Sequence, residues 1–138
     1  MAMAWEHFEH GADVGVRGWG PTRDEAFAQA ALALTAVLCP PEEIDPRDAV
    51  HLEGEGEDDE ILLYSWLNAL VSAMATRRML FSRFHLQLGG GRFQAVAWGE
   101  PVQTDRHQPA VEVKGATFTQ LRVTPHPTGW LAQCVVDV

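Results

Sequence analysis

The hydrophobic pattern of this chain changes its period partway along, and this change restricts the possible folds more than any other feature. One segment carries apolar side chains at helical spacing, in a stripe made of Leu63, Trp66, Leu67, Leu70 and Met74. From Leu80 onward apolar and polar residues alternate, which is typical of a strand with one buried face. The triplet Gly89-Gly90-Gly91 then separates two alternating segments. The pattern predicts a helix followed by a β-hairpin.

A second helix is predicted nearer the amino terminus. Thr22 can cap it, and Glu25, three residues further on, completes a capping box. Its apolar stripe continues until Pro40 and Pro41, which lack backbone N–H donors and end the helix. Strand-like segments at 5–8 and 14–19 precede it. This order predicts one α+β domain over residues 1–138, with two helices packed on a mixed, largely antiparallel β-sheet.

Three further strands are predicted in the last part of the chain. They cover residues 111–114, 117–123 and 130–136, after a polar loop at 100–109 that contains proline. His107 in this loop is interpreted as a solvated side chain rather than a catalytic one.

The acidic composition restricts the partners that this chain can bind. It has 10 Lys and Arg residues against 19 Asp and Glu residues, a formal net charge of −9. Direct, non-specific nucleic-acid binding depends on cationic side chains, so it is not expected. The sequence shows no secretory leader, apolar membrane span or Cys-x-x-Cys spacing. We therefore expect a soluble, cytoplasmic and reduced protein with no membrane role.

The sequence carries no motif of a stand-alone enzyme. G-x-S-x-G, a phosphate loop with its lysine, H-E-x-x-H and a dinucleotide fingerprint are all missing from it. The glycine triplet at 89–91 lies between two strands rather than before a helix, so it predicts a hairpin tip and not a phosphate site. No catalytic residue is expected.

Asp13 and Asp137 are the first candidates for a functional role, as metal ligands. Asp13 leads directly into an apolar strand, while Asp137 follows one and lies beside the terminal carboxylate of Val138. A cation would offset the repulsion between such anions. An oxygen-rich set prefers calcium, magnesium or manganese, and a contribution from His10 would favour manganese or zinc. The alternatives are a turn-forming Asp13, an exposed terminal Asp137 and a surface imidazole at His10.

Two further segments have unusual chemistry. Lys114 precedes a Gly-Ala-Thr step that would let a ligand or a metal approach the backbone closely, although a solvent-facing lysine is the alternative. The acidic run at 53–60 precedes the longer helix and is interpreted as complementing the helix dipole, with a metal or partner site as the alternative.

Five successive stretches resemble motifs of the archease family. The stretch "HGADVGVRGWG" is similar to H-T-A-D-(I/V)-G-(I/V), and "ILLYSWLNAL" is similar to L-L-x-x-W-L-N-x-L. Later, "GEPVQTDRH", "VEVKGATF" and "CVVDV" resemble G-E-x-x-D-x-x-x-H, E-V-K-A-x-T-(Y/F) and a terminal (I/V)-x-D-(I/V). Two positions depart from the family pattern: Gly11 stands where Thr is usual, and Thr119 where His often follows the aromatic residue.

The resemblance implies a function as well as a fold. Archeases assist the GTP-dependent RNA-splicing ligase, which joins RNA ends in tRNA splicing and RNA repair. This chain would then promote guanylylation of the ligase histidine and multiple turnover, and its acidity suits a cationic ligase. The implied cofactor is a divalent metal ion, calcium first, with magnesium, manganese or zinc as alternatives. Asp13, Asp137 and Val138 would hold it, with His10 and Lys114 as weaker additions.

Two other classes of function stay open at this point. One is a metal-dependent hydrolase in which a metal-bound water attacks the substrate. The other is a general chaperone or adaptor that binds its partners through residues 53–60.

Overall fold

The strands are all paired antiparallel and form two separate sheets. The computed structural model describes residues 4–109 and 111–138. Its strands are β1 (Trp5–His10), β2 (Asp13–Gly20), β3 (Asp48–Glu55), β4 (Met79–Gly89), β5 (Arg92–Pro101), β6 (Gly115–Ala116), β7 (Arg122–His126) and β8 (Gly129–Asp137). The larger sheet has the order β1-β2-β8-β6, with β7 also paired to β8, and the smaller sheet has the order β3-β5-β4. The strand β8 is therefore the centre of the larger sheet.

Two long helices and one short helix accompany the sheets. They are α1 (Arg23–Leu38), α2 (Asp59–Arg77) and α3 (Thr104–His107). The predicted cap of α1 is confirmed, since Oγ1 of Thr22 accepts a hydrogen bond of 3.2 Å from the Glu25 N–H. Asp58 caps α2 in the same way, with 2.9 Å between its Oδ1 and the Ile61 nitrogen. Each cap satisfies a backbone donor that the first helical turn leaves free.

The hydrophobic core lies where the two long helices meet both sheets. The helix α1 contacts β2 and β8 of the larger sheet and β4 of the smaller one, while α2 contacts β3, β5, β6 and β7. Trp66 of α2 is fully buried and donates its indole N–H to the Phe27 carbonyl oxygen of α1 at 3.1 Å. Its ring meets Phe93 of β5 edge-on, with 5.6 Å between the ring centroids. This cluster joins both helices to the smaller sheet.

A close approach between β2 and α1 fixes the position of the larger sheet. A Cβ atom at Gly18 would collide with the backbone of Ala30 in α1. The strand β2 therefore lies directly against the helix, and it carries Asp13 at its first position.

The predicted α+β class is confirmed, and three details differ from the sequence expectation. The strands form two purely antiparallel sheets rather than one mixed sheet, and both long helices contact each of them. Residues 111–114 are irregular, and in this part of the chain the pairing with β8 is limited to Gly115–Ala116. The predicted strand at 117–123 is interrupted because Gln120 adopts a left-handed backbone conformation, with φ of 53°. Within residues 4–109 and 111–138 no helix is long and apolar enough to cross a membrane.

Candidate metal centre

The strand register places the two candidate aspartates opposite each other. In the pairing of β2 with β8, Val14 lies opposite Val136. Continuing this antiparallel register by one position sets Asp13 opposite Asp137, and opposed side chains of such a pair have their Cβ atoms about 4.5–5.5 Å apart. On the other side of Asp13, His10 is its partner in the pairing of β1 with β2. Three candidate residues thus form one row across three strands.

The end of the chain lies beside the same row. The backbone N–H of Val138 points at Oδ1 of Asp13 with a long separation of 3.4 Å. Asp137 is exposed and Asp13 is half-buried. In the part of the chain that the structure describes, neither carboxylate forms an ion pair with a basic side chain. Like charges directly opposite each other destabilise a strand pair, and no cation of residues 4–109 or 111–138 offsets them.

The donor atoms of the two aspartates are oxygens, and His10 would add an imidazole nitrogen. Over residues 4–109 and 111–138, no three His, Cys, Asp or Glu side chains are grouped so that they could hold a metal ion. Asp13 and Asp137 are therefore a pair, to which the Val138 carboxylate would add a third anionic group of a different kind. Facing carboxylates without a counter-ion fit a hard divalent cation such as calcium.

Lys114 approaches the site from the irregular segment that precedes β6. Its backbone N–H donates to the Asp137 carbonyl oxygen at 2.9 Å, and its side chain is exposed. Lys114 and Asp137 line the same cavity of about 640 Å³, together with residues of α2. The structure thus brings Lys114 to the edge of the aspartate row, while His10 is exposed on the far side of Asp13.

Asn68 of α2 is a positioning residue that the sequence did not single out. Its Oδ1 accepts a hydrogen bond of 2.9 Å from the Ala116 N–H, and its Nδ2 lies 3.5 Å from the Ala116 carbonyl oxygen. A Cβ atom at Gly115 would come within 3.0 Å of this Oδ1. The atom that lies close to the Gly115 backbone is therefore Oδ1 of Asn68, a side chain of the protein itself. The sequence signal that could have identified Asn68 is its position as a polar residue within the leucine-rich stretch of α2.

A second acidic site lies away from the aspartate row and is closed. The Glu100 side chain is 3% exposed. Its Oε2 accepts a hydrogen bond of 2.6 Å from the Asp45 N–H and another of 3.1 Å from Nε2 of His107. Arg106 pairs with its other oxygen. The interpretation of His107 as a solvated loop residue is wrong, because this residue is only 2% exposed. Its Nδ1 accepts a hydrogen bond of 2.9 Å from the Gln103 N–H. The hydrogen of the ring is therefore on Nε2, which donates a hydrogen bond to Glu100.

The hydrogen bonds to Glu100 alter its acidity. The bond from the Asp45 backbone N–H is the largest cause, followed among the lowering causes by the bonds from Arg106 and His107. Together they lower the pKa of Glu100 from 4.5 to about 2, although burial acts in the opposite direction. The charged form is therefore bound within the fold, and this site has a structural role.

Several acids of the run at 53–60 are also used by the fold. Asp58 caps α2, and Asp59 pairs with Arg23 at 2.6 Å. The Oε2 atom of Glu60 accepts a hydrogen bond of 2.8 Å from the Val123 N–H of β7. These contacts favour the interpretation of this part of the run as a helix terminus.

Both cysteines lie in the core. Cys39 and Cys134 are buried free thiols. Burial is the largest cause that raises the pKa of each thiol, and it raises the pKa of Cys134 to about 12. Both thiols therefore stay protonated near neutral pH.

The fold and the sequence match those of one class of small α+β proteins. A family model described as "Archease protein family (MTH1598/TM1083)" matches residues 5–138. The chain belongs to the archease family, which confirms the resemblance in the sequence motifs.

Individual relatives agree over nearly the whole chain. The chain is 39% identical to protein archease of Thermococcus gammatolerans, over 97% of this chain and 98% of that one. It is 37% identical to protein archease of Pyrococcus furiosus, with the same coverage. The solution structure of Methanobacterium thermoautotrophicum protein 1598 superposes with a TM-score of 0.87 at 27% identity, covering 99% of this chain and 100% of that chain. An archease from Thermotoga maritima, described as a possible chaperone, shares the fold with a TM-score of 0.60 at 16% identity.

Proposed function

We propose that this chain is a metal-binding protein cofactor that activates the GTP-dependent RNA-splicing ligase. It promotes guanylylation of the ligase histidine and multiple turnover, and it acts in cytoplasmic tRNA splicing and RNA repair. Membership of the archease family supports this role. The observation that carries the proposal is the pairing of Val14 with Val136, because one further step in this register would set Asp13 opposite Asp137. Among the described residues neither carboxylate has a basic partner.

The proposed cofactor is a calcium ion held by Asp13, Asp137 and the Val138 carboxylate. Calcium accepts six to eight oxygen ligands in flexible arrangements, which suits a strand edge where water and partner oxygens can complete the set. Magnesium, manganese or zinc are the alternatives, and His10 would contribute to the last two. The bound ion would supply positive charge at an otherwise anionic surface. Lys114, at the edge of the same cavity, would bind an anionic group of the partner.

The direct test is ligation by the cognate ligase with and without this chain. We expect the chain to raise the rate of ligase guanylylation and to permit many turnovers. Asp137→Asn should abolish this effect, while Glu53→Gln, which removes an exposed carboxylate elsewhere, should preserve it. A ligase that turns over equally well without the chain would contradict the proposal.

The role of the Val138 carboxylate has its own test. Residues added after Val138 replace the carboxylate with a peptide carbonyl and cover the position beside Asp13. We expect such an extension to weaken calcium affinity and ligase activation together. Equal calorimetric titrations of calcium into both forms would rule out this ligand and leave the two aspartates as the proposed set.

The partner is expected to be the ligase protein rather than RNA. A net charge of −9 opposes phosphate binding and favours a cationic protein surface. Association should slow as salt rises, because the screening length falls to about 8 Å near physiological ionic strength. Tight binding of the isolated chain to naked RNA would contradict this assignment.

The two other classes of function give different results in simple assays. Turnover of a small phosphoester by the purified chain with metal would support a hydrolase. Protection of unrelated unfolded proteins from aggregation would support a general chaperone. The adaptor version of the latter would use residues 53–60, where Asp58, Asp59 and Glu60 already bind within the fold.

A further inference from the structure

Phe118 is a large apolar side chain presented to solvent next to the candidate metal centre. It is 64% exposed, and the other large exposed hydrophobic residue of the described ranges, Val111, is 42% exposed. One face of the Phe118 ring stacks on Tyr64 of α2, with 4.5 Å between the ring centroids and 21° between the planes. An aromatic side chain in this position is available as an anchor for a partner.

The turn that carries Phe118 is held firmly against the larger sheet. Thr117 donates its N–H and its hydroxyl to the Val135 carbonyl oxygen, at 3.0 Å and 2.9 Å. The Val135 N–H donates to the Thr119 carbonyl oxygen at 3.0 Å, and the Thr119 N–H donates to the Thr117 hydroxyl at 3.1 Å. Four hydrogen bonds therefore fix the residues on either side of Phe118. An anchor held in place in this way loses little conformational entropy on binding.

A groove begins at the Tyr64 side of this stack. Tyr64 lines the cavity of about 640 Å³ that also contains Glu55, Lys114 and Asp137. A second cavity of about 830 Å³ shares Glu55 and Ile61 with the first and continues to the glycine hairpin tip at 90–91, past Glu57. The two cavities adjoin at Glu55 and Ile61 and are together defined here as the acidic groove.

We propose that the acidic groove and Phe118 form the docking surface for an extended, basic segment of the partner protein, with an arginine stacked on Phe118. A planar guanidinium group stacks on an aromatic ring and pairs with a carboxylate in the same plane, which lysine cannot do. Glu55 is exposed and lines the same cavity as Tyr64. Its Oε2 lies 4.0 Å from Nη1 of Arg92, a long and exposed contact that an arginine of the partner can replace, so Glu55 is the carboxylate that would pair with this arginine.

The chemistry of the groove favours this occupant over the others. Its three carboxylates, Glu55, Glu57 and Asp137, outnumber its one lysine, Lys114, so the groove as a whole repels nucleic-acid phosphates. A second copy of this chain would bring the same net charge of −9 and repel the first. The groove also opens onto Asp137 of the candidate metal centre, so a segment bound there would lead the partner to that site. The identity of the partner as the RNA-splicing ligase rests on the proposed function.

The test compares Phe118→Ala and Glu55→Gln with two matched controls. Val111→Ala removes the other large exposed hydrophobic side chain, and Glu53→Gln removes an exposed carboxylate two residues earlier in β3. Binding of each full-length variant to the ligase is measured by calorimetry at one salt concentration. We expect Phe118→Ala and Glu55→Gln each to raise the Kd by about tenfold or more. The two controls should keep the wild-type Kd, and thermal unfolding confirms that every variant is folded.

The outcomes separate this proposal from the proposed function. If the wild-type chain neither binds nor activates the ligase, the proposed function fails. If it does both and the two groove variants bind as tightly as the controls, the docking surface is wrong while the function stands. A calcium titration of Phe118→Ala that matches the wild type would assign its loss of binding to the groove, and a weakened titration would count against the groove. If the groove variants change self-association or RNA binding and leave the ligase affinity unaltered, the acidic groove binds a second copy of the chain or RNA instead.

Discussion

Two acidic sites in this protein have carboxylates in opposite situations. Glu100 is shielded from water and surrounded by three donors, from the Asp45 backbone, Arg106 and His107. Asp13 receives one long contact, of 3.4 Å from the Val138 N–H, and faces another carboxylate across β2 and β8. A carboxylate whose lone pairs are satisfied within the fold stabilises the fold. A facing pair that is not satisfied is available to bind a cation.

The largest loss of stability is expected in the hydrophobic core, outside both acidic sites. It sets the scale against which the losses at the two sites are compared. Leu67 is fully buried in α2, and Leu67→Ala leaves a cavity in the core. Its free energy of unfolding should fall by about 2 to 5 kcal/mol. Chemical denaturation measures this loss, and ligase activation per folded molecule should stay near the wild-type value. A loss of activation in the folded protein would mean that the core and the aspartate row are coupled.

The next largest loss is expected at the closed site. Glu100→Ala leaves the Asp45 N–H and the His107 N–H without an acceptor, which should lower the free energy of unfolding by about 1 to 3 kcal/mol. The loss stays below that of a deeply buried ion pair, because the Arg106 side chain is 45% exposed and water screens it. Denaturation of the variant measures the effect. An unchanged stability would remove the structural role of this site.

The closed site also makes stability depend on pH. The pKa of Glu100 is about 2 in the folded protein against an ordinary value of 4.5, so the folded state favours the charged form. Its contribution is complete above the ordinary pKa and is lost as the pH falls from 4.5 toward 2. We expect the stability of the wild type to fall more steeply over this window than that of Glu100→Gln. Parallel slopes in acid denaturation would contradict the assignment.

The comparison also separates what the sequence can predict from what it cannot. The stripe from Leu63 to Met74 and the Thr22 cap are local patterns, and the helices formed as they predict. His107 lies in a polar stretch that has the composition of a loop, yet it is buried, with its Nε2–H donating a hydrogen bond to Glu100. The sequence named both aspartates but could not give their register, which depends on pairing between residues more than a hundred positions apart. The division into two sheets likewise depends on where the helices pack.

The smallest effect on stability is expected at the aspartate row without metal. Asp13→Asn removes one of two opposed charges and disturbs a single long contact, so the free energy of unfolding should change by less than about 0.5 kcal/mol. Calcium should raise the unfolding temperature of the wild type and not that of the variant. If Asp13→Asn unfolds as easily as Leu67→Ala, the carboxylate is structural and the two sites do not differ.

The most direct test of the cation site is the rate of ligase guanylylation as a function of calcium concentration, with wild-type chain and with Asp137→Asn. We expect a saturable rise of the rate with the wild type, and with the variant a rate close to that of the ligase alone at every calcium concentration. The same calcium dependence with both proteins would contradict this expectation.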